Sequence, residues 1–324
     1  MVVLGAGSAG EDVARTLAEA GRRVAVVEAG LVGGECPYVA CMPSKALLRS
    51  AGARRTGRDL LRLGATPHAV ELGDGAAAYR LAAQRRDEIA DHRSDADAAR
   101  GLQEAGVVLV RGRGRVTAPG AVTVAGRELG FGDLVVGTGS RPVLPPIPGL
   151  DEVPTWTSDQ ALAAQERPAR LLVVGGGAVG CELAQAHARF GTQVVLVQRG
   201  EQLLPREETS VARLLEQVLR DDGVDLRLGV ELEHAEPVAG GARCALSDGS
   251  RVEVERVLLA TGRRPWTDDL GLELLGVELD DAGAVRVDDR CRAAESVWAA
   301  VLAEMPCERA VPASMPTLAT GGSV

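Results

Sequence analysis

Short apolar runs alternate along the chain with longer mixed stretches, and the alternation occurs twice. Residues 2 to 30, VVLGAGSAGEDVARTLAEAGRRVAVVEAG, match residues 172 to 200, LVVGGGAVGCELAQAHARFGTQVVLVQRG, at an offset of 170. Gly5, Gly7, Gly10, Ala14, Ala18, Gly21, Val24, Val27 and Gly30 recur as Gly175, Gly177, Gly180, Ala184, Ala188, Gly191, Val194, Val197 and Gly200. Each copy reads as a strand, a Gly-x-Gly-x-x-Gly turn, a helix closed by glycine and a second strand. This pattern predicts a doubly wound α/β fold.

The glycine spacing carries chemistry only in that context. The first glycine permits a tight turn, the second lets a pyrophosphate approach the backbone, and the third lets helix pack on strand. Ser8 and Ala9 in the first copy and Val179 in the second open the helices whose N-termini would meet phosphate charge. Twenty-three residues after each first glycine stands the position that reads a ribose. Glu28 offers a carboxylate to free ribose hydroxyls. Gln198 followed by Arg199 removes that charge and supplies a cation, which favours NADP over NAD in the second copy.

A second echo closes each unit: DLVVGTGSRP at 133–142 and RVLLATGRRP at 256–265. Both read as a buried strand with Thr138, Gly139 and Ser140, or Thr261, Gly262 and Arg263, at its carboxyl end, where ligands of such sheets gather. Residues 35–52 and 76–105 read as helices and 107–129 as an antiparallel meander. Pro142, Pro145, Pro146, Pro148 and Gly149 mark a linker. The expected organisation is a first nucleotide-binding domain over 1–150, a second over 151–265, a return to the first over 266–300, and an irregular tail over 301–324.

Composition narrows the function. The chain has 324 residues and a net charge of −9, and the Arg111 to Arg115 alternation, its longest basic stretch, reads as a solvated hairpin, so a nucleic-acid surface is not expected. Three Trp, two Tyr and two Phe leave the core to Ala, Val and Leu. No signal or membrane segment is apparent, which predicts a cytoplasmic protein in which the six cysteines stay largely reduced. Of the 36 cationic residues only Lys45 is a lysine.

That lysine ends the segment GGECPYVACMPSK, residues 33–45. Cys36 and Cys41 can be metal ligands, inert thiols or a redox disulfide. The four histidines, His68, His92, His187 and His234, are scattered, so no metal site is expected. Five residues along an ideal helix separate Cα atoms by about 8.6 Å, beyond the roughly 7 Å a disulfide tolerates. A bond here requires the segment to leave helix geometry, which Gly33, Gly34 and Pro37 permit. Cys181, Cys244, Cys291 and Cys307 read as buried or incidental thiols.

With both fingerprints, the Thr-Gly-Ser strand end and Ala-Thr-Gly-Arg-x-Pro, the segment resembles the active-site signature of the class I pyridine nucleotide-disulfide oxidoreductases, over residues 1 to 300. The resemblance implies two Rossmann-like domains, FAD in the first and NAD(P) in the second. It implies hydride transfer from NAD(P)H to FAD and on to a Cys36–Cys41 disulfide, with Cys41 nearer the flavin and Cys36 facing a small dithiol or disulfide substrate. Lys45 would lie by the flavin and pair with Glu182. Gly34 would border the FAD, and Gly114 would present its backbone to the adenine side.

The likeness stops inside a motif. Ser296-Val-Trp-Ala-Ala300 begins the family's last FAD-binding strand, but Val301-Leu-Ala-Glu-Met-Pro stands where Gly-Asp is expected, and no histidine follows His234. The expectation is a C-terminally truncated chain lacking the family's dimerisation domain, with impaired activity. The alternative is a non-catalytic nucleotide-binding remnant of a frameshifted gene.

Overall fold

The structure is a computed structural model that describes residues 1–300. The replacement at 301–306 and the tail over 301–324 lie outside the described residues. Two parallel sheets dominate. The first has the strand order Arg292–Ala294, Val297–Ala299, Leu134–Val136, Val2–Leu4, Ala25–Glu28, Val108–Arg111, parallel throughout except for its first pair. The second runs Asp225–Leu228, Gln193–Gln198, Arg170–Val174, Arg256–Leu259, Thr155–Trp156, parallel at every pair.

The sequence repeat is a repeat of register. Val2 pairs with Ala25 and Leu4 with Val27; Leu172 pairs with Val195 and Val174 with Val197, so in both sheets a residue meets the one 23 positions on. The echo strands then flank the central strand from the other side, Leu4 against Val136 and Val174 against Leu259. Each unit also carries an antiparallel three-stranded sheet: Gly114–Ala118, Ala121–Val124 and Arg127–Gly130 in one, Leu232–Val238, Gly241–Leu246 and Arg251–Val254 in the other.

Three expectations need correction. Residues 107–129 are not one meander, because Val108–Arg111 joins the first parallel sheet beside Ala25–Glu28. For the same reason Arg111 to Arg115 is not a hairpin: it spans the step from that strand to Gly114–Ala118, with Arg111 on Asp95 and Arg113 on the carbonyl of Asp268. Residues 76–105 are two helices, Gly75–Ile89 and Ala96–Glu104, parted by a turn in which Asp91, His92 and Arg93 have φ of 47°, 49° and 61°. Left-handed backbone costs a non-glycine residue about 1–2 kcal/mol. Here the guanidinium of Arg93 holds the turn, donating to Asp87 at 2.9 Å and to the Leu162 carbonyl at 2.8 Å.

What positions the site is a seam between the halves. Leu47 and Ala51 of the helix Cys41–Asp59 and Tyr79, Ala82 and Ala83 of Gly75–Ile89 share one core with Leu183, Ala184, Ala186 and Phe190. Alanine allows close approach, and aromatic rings fill the centre: Tyr79 stacks on His187 at 5.5 Å and meets Phe190 edge-on at 5.3 Å. The seam is also ionic. The fully buried Asp222 carboxylate accepts from Arg55 of one helix at 2.7 Å and from Arg189 and Gln185 of the other at 2.9 and 3.0 Å. Among the described residues no helix is long and apolar enough to cross a membrane.

Two expected outcomes follow. Asp222→Ala leaves Arg55 and Arg189 facing each other without their carboxylate and lowers stability by about 3 kcal/mol in urea unfolding. His187 is fully buried with neither ring nitrogen bonded, and burial, with Arg167 and Arg86 nearby, lowers its pKa from 6.5 to about 4. Between those values the unfolded chain binds a proton that the folded chain does not, so stability present above pH 6.5 falls as the pH drops toward 4, by about 3 kcal/mol. In His187→Leu that part of the acid loss disappears from unfolding midpoints measured across the range.

Candidate active site

The two cysteines sit at a break between helices. A short helix Glu35–Tyr38 carries Cys36, Val39 and Ala40 leave helical geometry at φ/ψ of −132°/−2° and −131°/−95°, and Cys41 opens the helix Cys41–Asp59. The expected departure from ideal helix is present, but its cause is Pro43. In a continuous helix the Pro43 ring would strike the carbonyl of Val39, four residues back. Gly33 and Gly34, at φ of 95° and 74°, set the entry instead, and Pro37 is accommodated in a first turn. Cys36 and Cys41 are free thiols. The hydrogen bond between them, then burial, pushes the Cys36 thiol above its usual range.

Lys45, one turn after Cys41 and on the same helix face, reaches across the seam. Its Nζ donates to both oxygens of Glu182 at 2.7 and 2.8 Å, and Ser44 Oγ donates to the same carboxylate at 3.1 Å. Glu182 follows the third glycine of the second turn by two residues, so the seam ties the thiol pair directly to that turn. The implied pairing of Lys45 with Glu182 is therefore present. Ser44 was not legible from spacing.

The glycine turns show which glycines packing needs. A Cβ on Gly5 would lie 2.2 Å from the Gly137 carbonyl oxygen, and one on Gly10 1.9 Å from that of Gly5. Gly175 and Gly180 repeat this at 2.3 and 1.9 Å. The middle glycines differ. A Cβ on Gly177 meets nothing within 4 Å and one on Gly7 meets only Gly34 Cα at 3.9 Å. Both have ordinary φ of −69° and −76°. Open space, and not packing, surrounds those positions, as a cradle for a phosphate requires. Gly34 closes on Gly7, its own Cβ position being 2.7 Å from Gly7 Cα.

The two residues expected to read a ribose brace these turns alike. Glu28 accepts from the Ala6 and Gly30 amides, and Gln198 accepts from the Gly176 amide at 3.0 Å. Arg199 beside it is exposed and has no ion pair among the described residues. At the strand ends, Thr138 Oγ1 is sequestered without a partner, and Cβ positions on Gly139 and Gly262 face open space. These features fit a dinucleotide at each turn. Gly114 is glycine for another reason, since a Cβ there would press on Leu4 and Val27 at 2.8 and 3.0 Å.

Ser140–Pro142 and Arg263–Pro265, the two echo ends, pair with each other as an antiparallel ribbon. Arg263 turns toward the thiol segment, donating to Glu35 and Ser140. Of the remaining cysteines, Cys181 and Cys244 are buried, which raises their pKa to about 12 and about 11, and Cys291 is exposed. Cys307 lies outside the described residues. Among the described residues no group of three or more His, Cys, Asp or Glu side chains converges as metal ligands would.

Comparison with known proteins agrees with this geometry. The sequence profile of the pyridine nucleotide-disulphide oxidoreductases matches residues 1–301. A glutathione reductase of Burkholderia cepacia is 34% identical over 296 residues, covering 90% of this chain and 63% of that protein. A dihydrolipoyl dehydrogenase of Thermus scotoductus is 35% identical over 312 residues, covering 90% and 62%. The solved HOCl-induced flavoprotein disulfide reductase RclA of Escherichia coli superposes with a TM-score of 0.80 at 29% identity, covering 92% of this chain and 64% of that one. The chain thus spans under two thirds of the length of each.

The second turn separates structure from binding by mutation. Gly180→Ala costs more than about 2 kcal/mol in denaturant unfolding, because its methyl collides with backbone. Gly177→Ala stays within about 0.5 kcal/mol of the native chain but weakens binding of any dinucleotide seated at this turn about tenfold in fluorescence titration, because its methyl enters the open space a phosphate would occupy.

Proposed function

The chain belongs to the pyridine nucleotide-disulphide oxidoreductase family, and from that premise we propose that it is an FAD-dependent, NAD(P)H-linked dithiol-disulfide oxidoreductase acting through Cys36 and Cys41. The observation that carries this reading is the pair of free thiols on either side of a broken helix, with Lys45 one turn after Cys41 and held by Glu182 two residues past the second glycine turn.

The residues around the first turn, Gly5, Gly7, Ser8, Ala9, Gly10, Glu28 and Gly34, with Gly114, Thr138, Gly139 and Ser140, would hold FAD. Those around the second, Gly175, Gly177, Val179, Gly180, Gln198 and Arg199, with Gly262 and Arg263, would hold the pyridine nucleotide. Bound FAD supplies the relay of reducing equivalents from nicotinamide to disulfide. The chain supplies placement and charge. Lys45 keeps an ammonium, paired with Glu182, on the Cys41 face of its helix. Cys36, in the short helix ahead of the break, is the thiol offered to a small dithiol or disulfide.

Strand membership supports assigning residues 1–150 and 266–300 to the FAD domain and 151–265 to the nucleotide domain, since the first sheet draws on 2–136 and 292–299 and the second on 155–259. A neutral Gln198 beside an exposed Arg199 with no ion pair among the described residues supports NADP over NAD, because a 2′-phosphate finds a cation and no repelling carboxylate.

The test is anaerobic. NADPH added to the FAD-loaded, oxidised chain releases two titratable thiols per chain, and Cys36→Ser or Cys41→Ser releases none. A native chain that releases none, or retains no FAD, overturns the reading. Arg199→Ala lowers kcat/KM for NADPH about tenfold and leaves that for NADH unchanged in the same assay.

A further inference from the structure

Glu35 immediately precedes Cys36, at the head of the helix Glu35–Tyr38. Both of its carboxylate oxygens accept from Arg263 Nη2 at 2.7 Å. The same guanidinium donates to the Ser140 carbonyl at 2.7 Å and, through Nε, to Ser140 Oγ at 2.9 Å. One arginine, 228 residues away along the chain, thus joins the segment before the thiol to both strands of the ribbon that links the sheets. The proposed chemistry uses none of these contacts.

A bare carboxylate one residue from a thiol opposes thiolate formation; a paired one does so far less. Other charges flank the segment, and of these Asp91 has no ion pair among the described residues. Lys45 and Glu182 neutralise each other, and in the turn 91–93, which packs against the short helix, Arg93 is held by Asp87 beside Asp91 and His92. Cys41 meets Cys36 as the thiol partner. Among the described residues the Glu35 carboxylate has Arg263 as its ion-pair partner.

We propose that Arg263 is a positioning residue for Cys36: by holding and neutralising the Glu35 carboxylate it keeps the adjacent thiol ionisable and reactive. The inference rests on Cys36 being a working thiol of the site proposed above.

The test uses the reduced chain and iodoacetamide, without flavin or nucleotide. The Cys36 thiolate displaces iodide, forming a carbon–sulfur bond, and mass spectrometry of the Cys36 peptide gives the initial rate at fixed pH and low salt. Arg263→Gln reacts about threefold to tenfold more slowly than the native chain, the order expected of one uncompensated charge on the preceding residue. The deficit shrinks toward twofold in about 0.5 M salt. Glu35→Gln reacts no more slowly than native, and the double variant returns to within about twofold of native.

A native rate in folded Arg263→Gln overturns the proposal, as does a double variant as slow as Arg263→Gln, which would leave the contact a purely structural clasp. Should Arg263→Gln not fold, Glu35→Gln decides alone: a rate at or above native supports the proposal and a slower one overturns it. The reading of overall function is judged separately, since a chain with this alkylation pattern that releases no thiols with NADPH keeps the charge relation and loses the hydride route.

Discussion

The helices Cys41–Asp59 and Ala178–Arg189 arise in opposite halves of the chain and pack through alanines, with the Asp222 carboxylate buried between Arg55 and Arg189 and the Lys45–Glu182 pair nearby. The remaining geometry depends on this contact. It places the helix opened by Cys41 against the helix that follows the glycine turn of the other half, so that one seam sets the separation of the two proposed dinucleotide positions. Small side chains make the approach close, and the buried carboxylate makes it specific, because a slipped packing would strand two guanidinium groups.

The parts of this arrangement legible in the sequence are those governed by local backbone rules. Glycine turns, the 23-residue register and the strand opening at Ser296 follow from constraints that act within one βαβ unit. The Lys45–Glu182 contact became legible only through family resemblance, since no spacing relates residues 137 positions apart. Glu35 with Arg263 and Asp222 with its arginines were invisible for the same reason. Two local features were also missed. Pro43 acts on a carbonyl four residues back, outside the cysteine interval where attention falls. The turn at 91–93 uses Asp, His and Arg where glycine would have announced it, and is held by a guanidinium reaching to another segment.

The near absence of lysine has a structural counterpart. Arginine does the multidentate work: Arg55, Arg93, Arg189 and Arg263 each tie a carboxylate or carbonyl from one segment to another, a task suited to a planar fork of donors. Lys45 has a different task. It presents a compact ammonium to one carboxylate while remaining largely exposed, which leaves that charge accessible to whatever occupies the space beside Cys41.

The pairing of Ser140–Pro142 with Arg263–Pro265 means that the chain leaves for its second sheet and returns from it through neighbouring strands. The intervening residues 143–262 therefore begin and end at one place. Closing such a loop depends only weakly on its length, so its surface turns can be lengthened or shortened without moving the strands of the ribbon, provided that Glu182, Arg189 and Asp222 keep their places in the seam. The nested unit is thus fastened at two places, the ribbon and the seam, and only its surface away from both is free to change without disturbing the thiol segment.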